Sequence, residues 1–465
     1  MSVFQSINPA TGELVATFEG HTPQQVDAAL DAAAATFRSW RRTSFEERGR
    51  LLRAAAQYLR SEQERFARLI TLEMGKPIRQ ARAEIEKCAW NCEFYAEHGP
   101  EFLADRPTPS DAQESVVVFD PLGVVLAIMP WNFPFWQVFR FAAPALMAGN
   151  TAVLKHAANV PQCALAIEEV FRAAGFPDGC FRTLLLPSSE VQSVIEDPRV
   201  AAVTLTGSDL AGSRVAEASG RALKKTVLEL GGSDPFIVLA DADLDAAARV
   251  GALARNQNTG QSCIAAKRFI VVEEVFEPFV ERFVAEVARL RVGDPFDEET
   301  DVGPLARADL RTDLERQVGE SMAKGATVLL GGYRLERPGY FYAPTILSHV
   351  TPEMPVFVEE TFGPVAAIVR AKDTEEAVAL ANRSVYGLGA ALWTQDLDAA
   401  RSLARELEAG CVFVNGMVAS DPRLPFGGVK RSGYGRELGE WGIREFVNIK
   451  TLWVGPARQR SAPAE

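Results

Sequence analysis

The sequence predicts an α/β protein with two parallel sheets and a small β arm. Short apolar runs alternate with helical runs between residues 122 and 230, and a second series of the same kind begins at Asp234. Strands that alternate with helices favour a parallel sheet covered on both faces. The 465 residues also exceed what one hydrophobic core usually holds. We therefore expect a doubly wound domain, whose ligand lies beyond the carboxyl ends of its strands, and a second α/β domain.

The amino-terminal region predicts smaller units. Residues 1–20 are typical of a strand pair, and apolar residues at helical spacing continue from 22 to 99. An isolated apolar strand is expected at 115–119. A lone strand needs a partner, and a strand from another subunit is one way to supply it.

The two alternating series predict these elements. In the first, strands are expected at residues 123–129, 152–154, 181–186, 201–205 and 226–230, and helices at 137–148, 161–174, 189–195 and 210–223. In the second, strands are expected at 236–239, 268–272, 327–330, 366–370, 389–393 and 411–414, and helices at 244–257, 276–290, 374–382 and 397–407. The glycine-rich stretch 426–442 is expected to be a loop and 446–454 a last strand, with a disordered tail after Gly455.

The composition argues against several classes of function. A net charge of −12 argues against a nucleic-acid surface, which needs basic residues. No stretch approaches the roughly 18 apolar residues of a membrane span, and the first six residues lack the pattern of a signal peptide. Six cysteines in a chain of this length do not form a disulfide scaffold. We therefore expect a cytoplasmic protein without nucleic-acid or membrane partners.

We also expect no metal site. Cys88 and Cys92 lie four residues apart on a predicted helix, but no second pair or neighbouring histidine completes a tetrahedral set. The four histidines are scattered along the chain, and no His-Glu-x-x-His motif occurs.

Cys263 is the candidate nucleophile. It lies in a short connection between the helix predicted at 244–257 and the strand predicted at 268–272, and such connections often carry reactive groups. A cysteine thiol needs only modest activation to attack carbon. From its position alone, a small buried apolar residue stays the alternative interpretation.

Two further polar side chains follow strands of the first series. Asn132 lies between prolines and aromatic residues, where it is either a rigid hydrogen-bond donor for an oxyanion or part of a structural turn. Glu229 lies between apolar residues at a strand end. A carboxylate there is either paired structurally or has a raised pKa suited to proton transfer.

Residues 206–212 are a candidate phosphate-binding segment. Gly207 and Ser208 lie between a strand and a helix, so backbone N–H groups there can face a pyrophosphate. Lys155 ends another strand, where a ribose would lie, although a solvated lysine is the alternative. No carboxylate occurs in residues 155–159, so the 2′-phosphate of NADP is permitted.

Five motifs, in order along the chain, resemble those of the aldehyde dehydrogenases. They are Pro-Trp-Asn-Phe-Pro at 130–134, Leu-Glu-Leu-Gly-Gly at 228–232, Gly-Gln-Ser-Cys at 260–263, Glu-Glu-Thr-Phe-Gly-Pro at 359–364 and Pro-Phe-Gly-Gly at 425–428. The resemblance extends from Asn8 to Val454. It implies a cofactor-binding domain at 1–112, 122–232 and 426–445, a catalytic domain at 233–425, and an oligomerisation arm and tail at 113–121 and 446–465. The strands of the arm would pair across subunits in a homodimer or homotetramer.

The same resemblance implies the roles of the candidate residues. Cys263 would be the nucleophile, Asn132 with the Cys263 N–H the oxyanion site, and Glu229 the base that activates water. The cofactor, NADP or NAD, would contact Trp131, Lys155, Ala158, Gly207, Ser208, Glu360 and Phe362. The aldehyde would be oxidised through a cysteine thiohemiacetal and a thioester.

Arg140 is the residue from which we predict the substrate class. A surface arginine is the ordinary interpretation, but its aromatic neighbours suggest that it points from an apolar wall and suits a carboxylate. By resemblance to succinate-semialdehyde dehydrogenases, Trp136 and Ser420 would complete that pocket. Two residues depart from the pattern of some relatives. Ala265 stands where many relatives have a second cysteine, and Gln257 stands where some have another arginine. The alternatives are a broad aliphatic or aromatic aldehyde dehydrogenase, a catalytically silent protein on the same fold, and a cysteine hydrolase. A hydrolase would need a histidine base, and no histidine of this sequence lies in a matching motif.

Overall fold

The computed structural model describes residues 2–455, which form two large sheets, a three-stranded arm sheet and two short strand pairs. The predicted tail after Gly455 lies outside the described residues. No helix among residues 2–455 is long and apolar enough to cross a bilayer.

Fifteen α-helices occur in the described residues. They are α1 Pro23–Trp40, α2 Phe45–Ser61, α3 Gln63–Met74, α4 Ile78–Phe102, α5 Trp136–Ala148, α6 Pro161–Ala173, α7 Val191–Glu196, α8 Asp209–Arg221, α9 Leu244–Asn256, α10 Phe276–Ala288, α11 Ala308–Ala323, α12 Pro355–Val358, α13 Thr374–Asn382, α14 Leu397–Glu406 and α15 Gly439–Ile443. Six of them, α1, α2, α8, α9, α13 and α14, begin after a residue whose side chain caps the helix. Ser44, for example, accepts the N–H of Glu47 at 3.1 Å and begins α2.

Twenty strands complete the described secondary structure. They are β1 Val3–Ile7, β2 Leu14–Glu19, β3 Arg106–Pro107, β4 Glu114–Pro121, β5 Val124–Met129, β6 Thr151–His156, β7 Phe181–Thr183, β8 Val200–Thr206, β9 Lys225–Glu229, β10 Asp234–Val238, β11 Ala266–Val272, β12 Thr327–Leu330, β13 Thr345–Ser348, β14 Val365–Ala371, β15 Tyr386–Gly387, β16 Gly389–Trp393, β17 Cys411–Val414, β18 Val429–Lys430, β19 Gly433–Tyr434 and β20 Val447–Val454. The predicted antiparallel pair at the amino terminus is β1 with β2.

The first sheet has the strand order β19-β9-β8-β5-β6-β7 and is parallel except for β19. Helices cover both faces, and β6 shows this directly. Ala152 and Leu154 point into one hydrophobic core, and Val153 points into the other. The chain winds outward from β5 to β7 and then returns to β8. Strand order therefore reverses between β5 and β8, which is where a doubly wound sheet binds its ligand.

The second sheet has the order β12-β13-β14-β11-β10-β16-β17, with β12 alone antiparallel. Only four residues, 230–233, separate the end of β9 from the start of β10. The carboxyl edge of the first sheet is thereby connected directly to the amino edge of the second. The α/β fold with two parallel sheets is as predicted, and the proposed domain boundaries stay a prediction.

The arm sheet corrects one prediction. The strand expected at 115–119 and the terminal strand were expected to pair across subunits. Instead β4 pairs antiparallel with β20 of the same chain, from Val447 opposite Pro121 to Val454 opposite Glu114, and β3 pairs with its other edge. The backbone groups of β4 are satisfied within one chain because β20 returns to this sheet from far along the sequence.

Two other stretches differ from the sequence prediction. Residues 426–442, expected to be a loop, contain the two-residue strands β18 and β19 and the start of α15. These strands pair with β15 and β9, so they depend on distant partners. Helix α11 was not predicted, because few apolar residues mark its buried face. The side chains that this helix buries include Leu314 and Val318.

Candidate active site

The nucleophile loop, residues 257–265, connects α9 to β11. Its backbone makes an unusual turn, since Asn258, Thr259 and Gly260 have φ values of 55°, 57° and 71°. Asn tolerates positive φ, but a β-branched residue such as Thr rarely adopts it, so the surroundings must hold Thr259 in this conformation. Cys263 follows the turn and is half-buried. The loop therefore presents the thiol on a constrained backbone.

Two buried cations hold the nucleophile loop by its carbonyl groups. Lys267 donates from Nζ to the carbonyl oxygens of Cys263 at 2.7 Å and Ser262 at 3.0 Å. Arg255 donates from Nη2 to the carbonyl oxygen of Gly260 at 2.7 Å, and also to that of Gly363. Carbonyl groups of an irregular loop have no partners in a sheet or helix, so these side chains replace regular pairing.

Asn132 connects the first sheet to the nucleophile loop. Its Nδ2 donates to the carbonyl oxygen of Gln261 at 3.1 Å, and Nδ2 of Asn258 donates to the carbonyl oxygen of Asn132 at 2.8 Å. His156 holds the same segment, because its Nε2 donates to the carbonyl oxygen of Pro134 at 2.9 Å while its Nδ1 accepts a backbone N–H. Burial lowers the pKa of His156 to about 4, so the ring is neutral.

A buried ion pair between Glu84 and Lys76 fixes the start of α5. Glu84 accepts the backbone N–H groups of Phe135 at 2.9 Å and Trp136 at 3.0 Å with one carboxylate oxygen. Its other oxygen pairs with Lys76, whose ammonium also lies 3.7 Å from the centre of the Phe133 ring. The carboxylate at this helix start satisfies N–H groups that have no partner within the helix.

The electrostatics of the thiol follow from its surroundings. Burial raises the pKa of Cys263 to about 12, while the positive charges of Arg140 and Lys267 oppose that rise. The thiol is therefore protonated at neutral pH in the protein alone. It must lose its proton before or during attack on carbon.

Glu229 ends β9 as a buried carboxyl group. Its pKa is raised first by burial and then by the negative charge of Glu437. Within residues 2–455 neither carboxylate oxygen of Glu229 forms a hydrogen bond. A side chain at Gly427 would place its Cβ 2.7 Å from Oε1 of Glu229, so this glycine leaves space for the carboxyl group. Such a group suits exchange of a proton with water.

Arg140 forms an ion pair with Glu437, and both side chains are buried. Its Nη2 donates to Oγ1 of Thr206 at 3.3 Å, and the guanidinium lies 4.7 Å from the centre of the Phe426 ring. The guanidinium therefore has protein partners on several sides. It also lines the cavity described below.

Glu360 joins the nucleophile loop to the link between the two sheets. Its Oε1 accepts the N–H of Gly232 at 3.0 Å and lies 3.7 Å from Nζ of Lys267. A Cβ at Gly231 would lie 2.5 Å from Oε2, so a larger residue there would displace the carboxylate. Burial raises the pKa of Glu360.

The residues predicted to bind the cofactor lie along the carboxyl edge of the first sheet. Lys155 ends β6, is buried, and donates to Oγ of Ser188 at 3.3 Å. Ser208 begins α8 and accepts the N–H of Ala211 at 3.3 Å. Gly207 precedes Ser208, and Ala158 is exposed just beyond β6. The edge thus offers an ammonium, a hydroxyl and the amino-terminal end of a helix.

Two aromatic residues lie at the same edge. The rings of Trp131 and Phe362 meet edge to face, with centroids 5.7 Å apart. Together with the cation and the helix start, this donor set fits a nicotinamide dinucleotide, whose phosphates need N–H groups and whose rings need apolar contacts. The predicted absence of a metal stays a prediction. Residues 2–455 contain no group of three potential metal-ligating side chains.

A cavity of about 410 Å³ opens beside the thiol, within the usual range of ligand pockets. Cys263, Ser262 and Phe133 line one part of it. The three side chains predicted to bind substrate line it as well; they are Arg140, Trp136 and Ser420. The structure therefore brings the predicted substrate residues and the nucleophile to one cavity.

The sequence profile of the aldehyde dehydrogenase family matches residues 2–452. The chain belongs to the aldehyde dehydrogenase family. This confirms the resemblance found in the five motifs.

Similar proteins extend over nearly the whole of this aldehyde dehydrogenase. A probable succinate-semialdehyde dehydrogenase (NADP(+)) of Synechocystis is 55% identical over 449 residues, covering 97% of this chain and 99% of the relative. Succinate-semialdehyde dehydrogenase (NADP(+)) 1 of Mycobacterium tuberculosis is 53% identical over 452 residues, covering 97% and 99%. The crystal structure of the Streptococcus pyogenes succinic semialdehyde dehydrogenase with NADP+ superposes with a TM-score of 0.95 at 38% identity, covering 97% of this chain and all of that one. The predicted fold class is confirmed.

Several side chains of this aldehyde dehydrogenase site were missed by sequence reasoning. Lys267 carries a signal in hindsight, since Lys267 and Arg268 begin a strand that is otherwise apolar, and charges buried there must be paired. Arg255 has a weaker signal of the same kind in α9. Glu437 and Lys87 lie far from the motifs and reach the site only through the fold.

We expect Lys267→Met to lower kcat about tenfold or more, because the carbonyl groups of the nucleophile loop would lose charged donors. The melting temperature should also fall by about 2–8 °C. Steady-state kinetics and thermal unfolding measure the two effects. Lys372→Met, on an exposed lysine, is the control and should change neither. If Lys267→Met keeps wild-type kcat, the loop does not depend on this lysine.

Proposed function

We propose that this aldehyde dehydrogenase oxidises succinate semialdehyde to succinate with NADP+. The observation that carries the proposal is the cavity that joins Cys263 to Arg140, Trp136 and Ser420. A semialdehyde has a reactive carbonyl at one end and a carboxylate at the other. The cavity has a nucleophile and a group of cations and N–H and O–H donors to match these two ends. The names of the similar proteins point to the same substrate.

The proposed preference for NADP+ rests on residues at the carboxyl end of β6 and just beyond it. Lys155 and Ser188 supply an ammonium and a hydroxyl that suit a phosphate, and residues 155–159 contain no carboxylate that would repel it. The relatives from Synechocystis and Mycobacterium tuberculosis are named for NADP(+). Trp131, Gly207, Ser208, Ala158, Glu360 and Phe362 would contribute the remaining contacts to the cofactor.

The first half of the reaction forms an acyl-enzyme. The thiol of Cys263 releases its proton to water, and its sulfur bonds to the carbonyl carbon. The carbonyl oxygen becomes an oxyanion that Nδ2 of Asn132 and the N–H of Cys263 stabilise. The nicotinamide cofactor, when bound, supplies the acceptor for the hydride that leaves this carbon. Loss of hydride restores the carbonyl group and leaves a thioester on Cys263.

The second half hydrolyses the thioester. Glu229 accepts a proton from water, whose oxygen then bonds to the acyl carbon. The bond from carbon to sulfur breaks and the thiolate of Cys263 leaves. The carboxylic acid that forms gives its proton to this thiolate or to solvent and becomes the carboxylate product. The raised pKa of Glu229 makes it a stronger base than an exposed glutamate once it is ionised.

Wild-type kinetics test the substrate and the cofactor. We expect kcat/KM for succinate semialdehyde to exceed that for butanal, its neutral analogue of the same length, by about tenfold or more, because a charge-assisted contact is lost with butanal. NADP+ should give a higher kcat/KM than NAD+. Equal values for the two aldehydes would instead support a broad aldehyde dehydrogenase, and no reduction of the nicotinamide would support a silent protein on this fold.

Glu229→Gln should still produce a burst of reduced cofactor, of about one equivalent per active site, followed by slow turnover. Acylation needs Cys263 but not the base that hydrolyses the thioester. Stopped-flow absorbance measures the burst. Cys263→Ala is the matched control and should show neither burst nor turnover. A Glu229→Gln variant without a burst would assign Glu229 to acylation instead.

We also propose that the enzyme is a cytoplasmic homo-oligomer that associates through the arm sheet. All six cysteines are free thiols, as in a reducing compartment. Strand β20 exposes Ile449, Leu452 and Trp453, which suits contact with a second copy.

The variant with Ile449→Lys and Trp453→Ser should shift the mass in light scattering from dimer or tetramer to monomer. Tyr333→Ser, on an exposed residue elsewhere, should not. An unchanged mass in the arm variant would contradict this interface.

A further inference from the structure

Lys87 is a cation in the substrate cavity that no motif indicated. It lies on α4, is half-buried, and lines the same cavity as Cys263. Its Nζ lies 4.3 Å from the centre of the Trp136 ring and donates to Oγ of Ser420 at 2.9 Å. An ammonium has three N–H donors. Among residues 2–455 this lysine makes a single hydrogen bond, so two donors stay available to a ligand.

Ser420 is poised to donate into the cavity. Its Oγ accepts from Lys87 and also from Nε1 of Trp136 at 3.1 Å. A hydroxyl oxygen has two lone pairs, and two donors occupy both. The hydroxyl proton is then directed to another acceptor. An anion in the cavity, which the lysine would also attract, supplies such an acceptor.

Arg140, the other cation deep in the cavity, is already neutralised by protein groups. It pairs with Glu437 and donates to Thr206. Lys87 forms no ion pair within the described part of the chain, and the neighbouring carboxylate of Asp421 pairs with Arg423 at 2.6 Å. The uncompensated positive charge of the cavity therefore lies at Lys87.

We propose that Lys87, with the hydroxyl of Ser420, binds the carboxylate of the semialdehyde and thereby sets the preference for carboxylated aldehydes. This inference rests on the proposed function, because it assigns the substrate contact of the same site. Arg140 lines the same cavity, and its predicted direct contact with the substrate stays a prediction.

The charge of Lys87 should depend on pH in the neutral to alkaline range. Burial and, second, the charge of Arg140 on α5 lower its pKa, which is about 8. Three groups oppose this: Cys88 and Glu84 on α4, and Asp421 from the loop before α15. The ammonium is present below this pKa and lost above it, so the attraction for a carboxylate weakens as the pH rises.

The test compares kcat/KM for succinate semialdehyde and butanal in Lys87→Met, Lys87→Arg and wild type. We expect Lys87→Met to lower the ratio of the two values about 10- to 100-fold through KM for the semialdehyde, with butanal nearly unchanged. Lys87→Arg should recover most of the ratio. Arg79→Met removes a cation at the cavity mouth that Asp301 already pairs at 3.0 Å, and should leave the ratio within about twofold.

The pH dependence of the same ratio separates binding from structure. Ionisation of Cys263 affects both aldehydes and cancels in the ratio, so the wild-type ratio should fall through about pH 8 and that of Lys87→Met should stay flat. Equal losses for both aldehydes, or a Lys87→Met ratio equal to wild type, would overturn the role of Lys87 while leaving the proposed function intact. A wild type that shows no preference for the semialdehyde would overturn both.

Discussion

Buried cations that bind backbone carbonyl groups hold this active site together. Lys267 and Arg255 bind the carbonyl groups of the nucleophile loop. Arg268, which follows Lys267 in β11, binds the carbonyl groups of Ser233, Leu380 and Ala381. An irregular loop buried at the junction of two sheets leaves its carbonyls without regular partners, and leaving them unpaired would cost about 1–3 kcal/mol each. Long side chains with several donors meet this requirement. Removing their charge should therefore disturb the geometry of the thiol before it disturbs the sheets.

The same constraint explains how groups from distant parts of the chain come together. The carboxyl edge of the first sheet supplies Asn132 and Glu229, and the amino edge of the second supplies Cys263. Residues 230–233 are too short to let these edges separate. Gly231 and Gly232 allow the carboxylate of Glu360 and the carbonyl of Cys263 to approach the link closely. The oxyanion donor, the base and the nucleophile thus belong to three segments that meet at the junction of the two sheets.

Much of this arrangement could be predicted from local sequence. Alternating apolar runs predicted the parallel strands of both sheets except β13. Asn132 and Glu229 lie at the carboxyl ends of strands, where parallel sheets bind ligands, and Cys263 lies in a short connection before β11. Other features could not be predicted from local sequence. They are the pairing of β4 with β20, the strands within residues 426–442, and the roles of Lys87 and Glu437. Each depends on a partner far away in the sequence, and no periodicity within a short window records such a contact. Arg140 illustrates the limit, because its aromatic surroundings were evident while its partner Glu437 was not.

The arm sheet has a consequence for synthesis of the chain. Strand β4 emerges from the ribosome on the order of 300 residues before β20, a delay of roughly 15–60 s at common translation rates. During that time only the two residues of β3 can pair with β4, and one edge of an apolar strand stays open. Nascent chains on one polysome would carry the same open edge side by side. Strand β20 therefore closes a surface through which unfinished copies could aggregate.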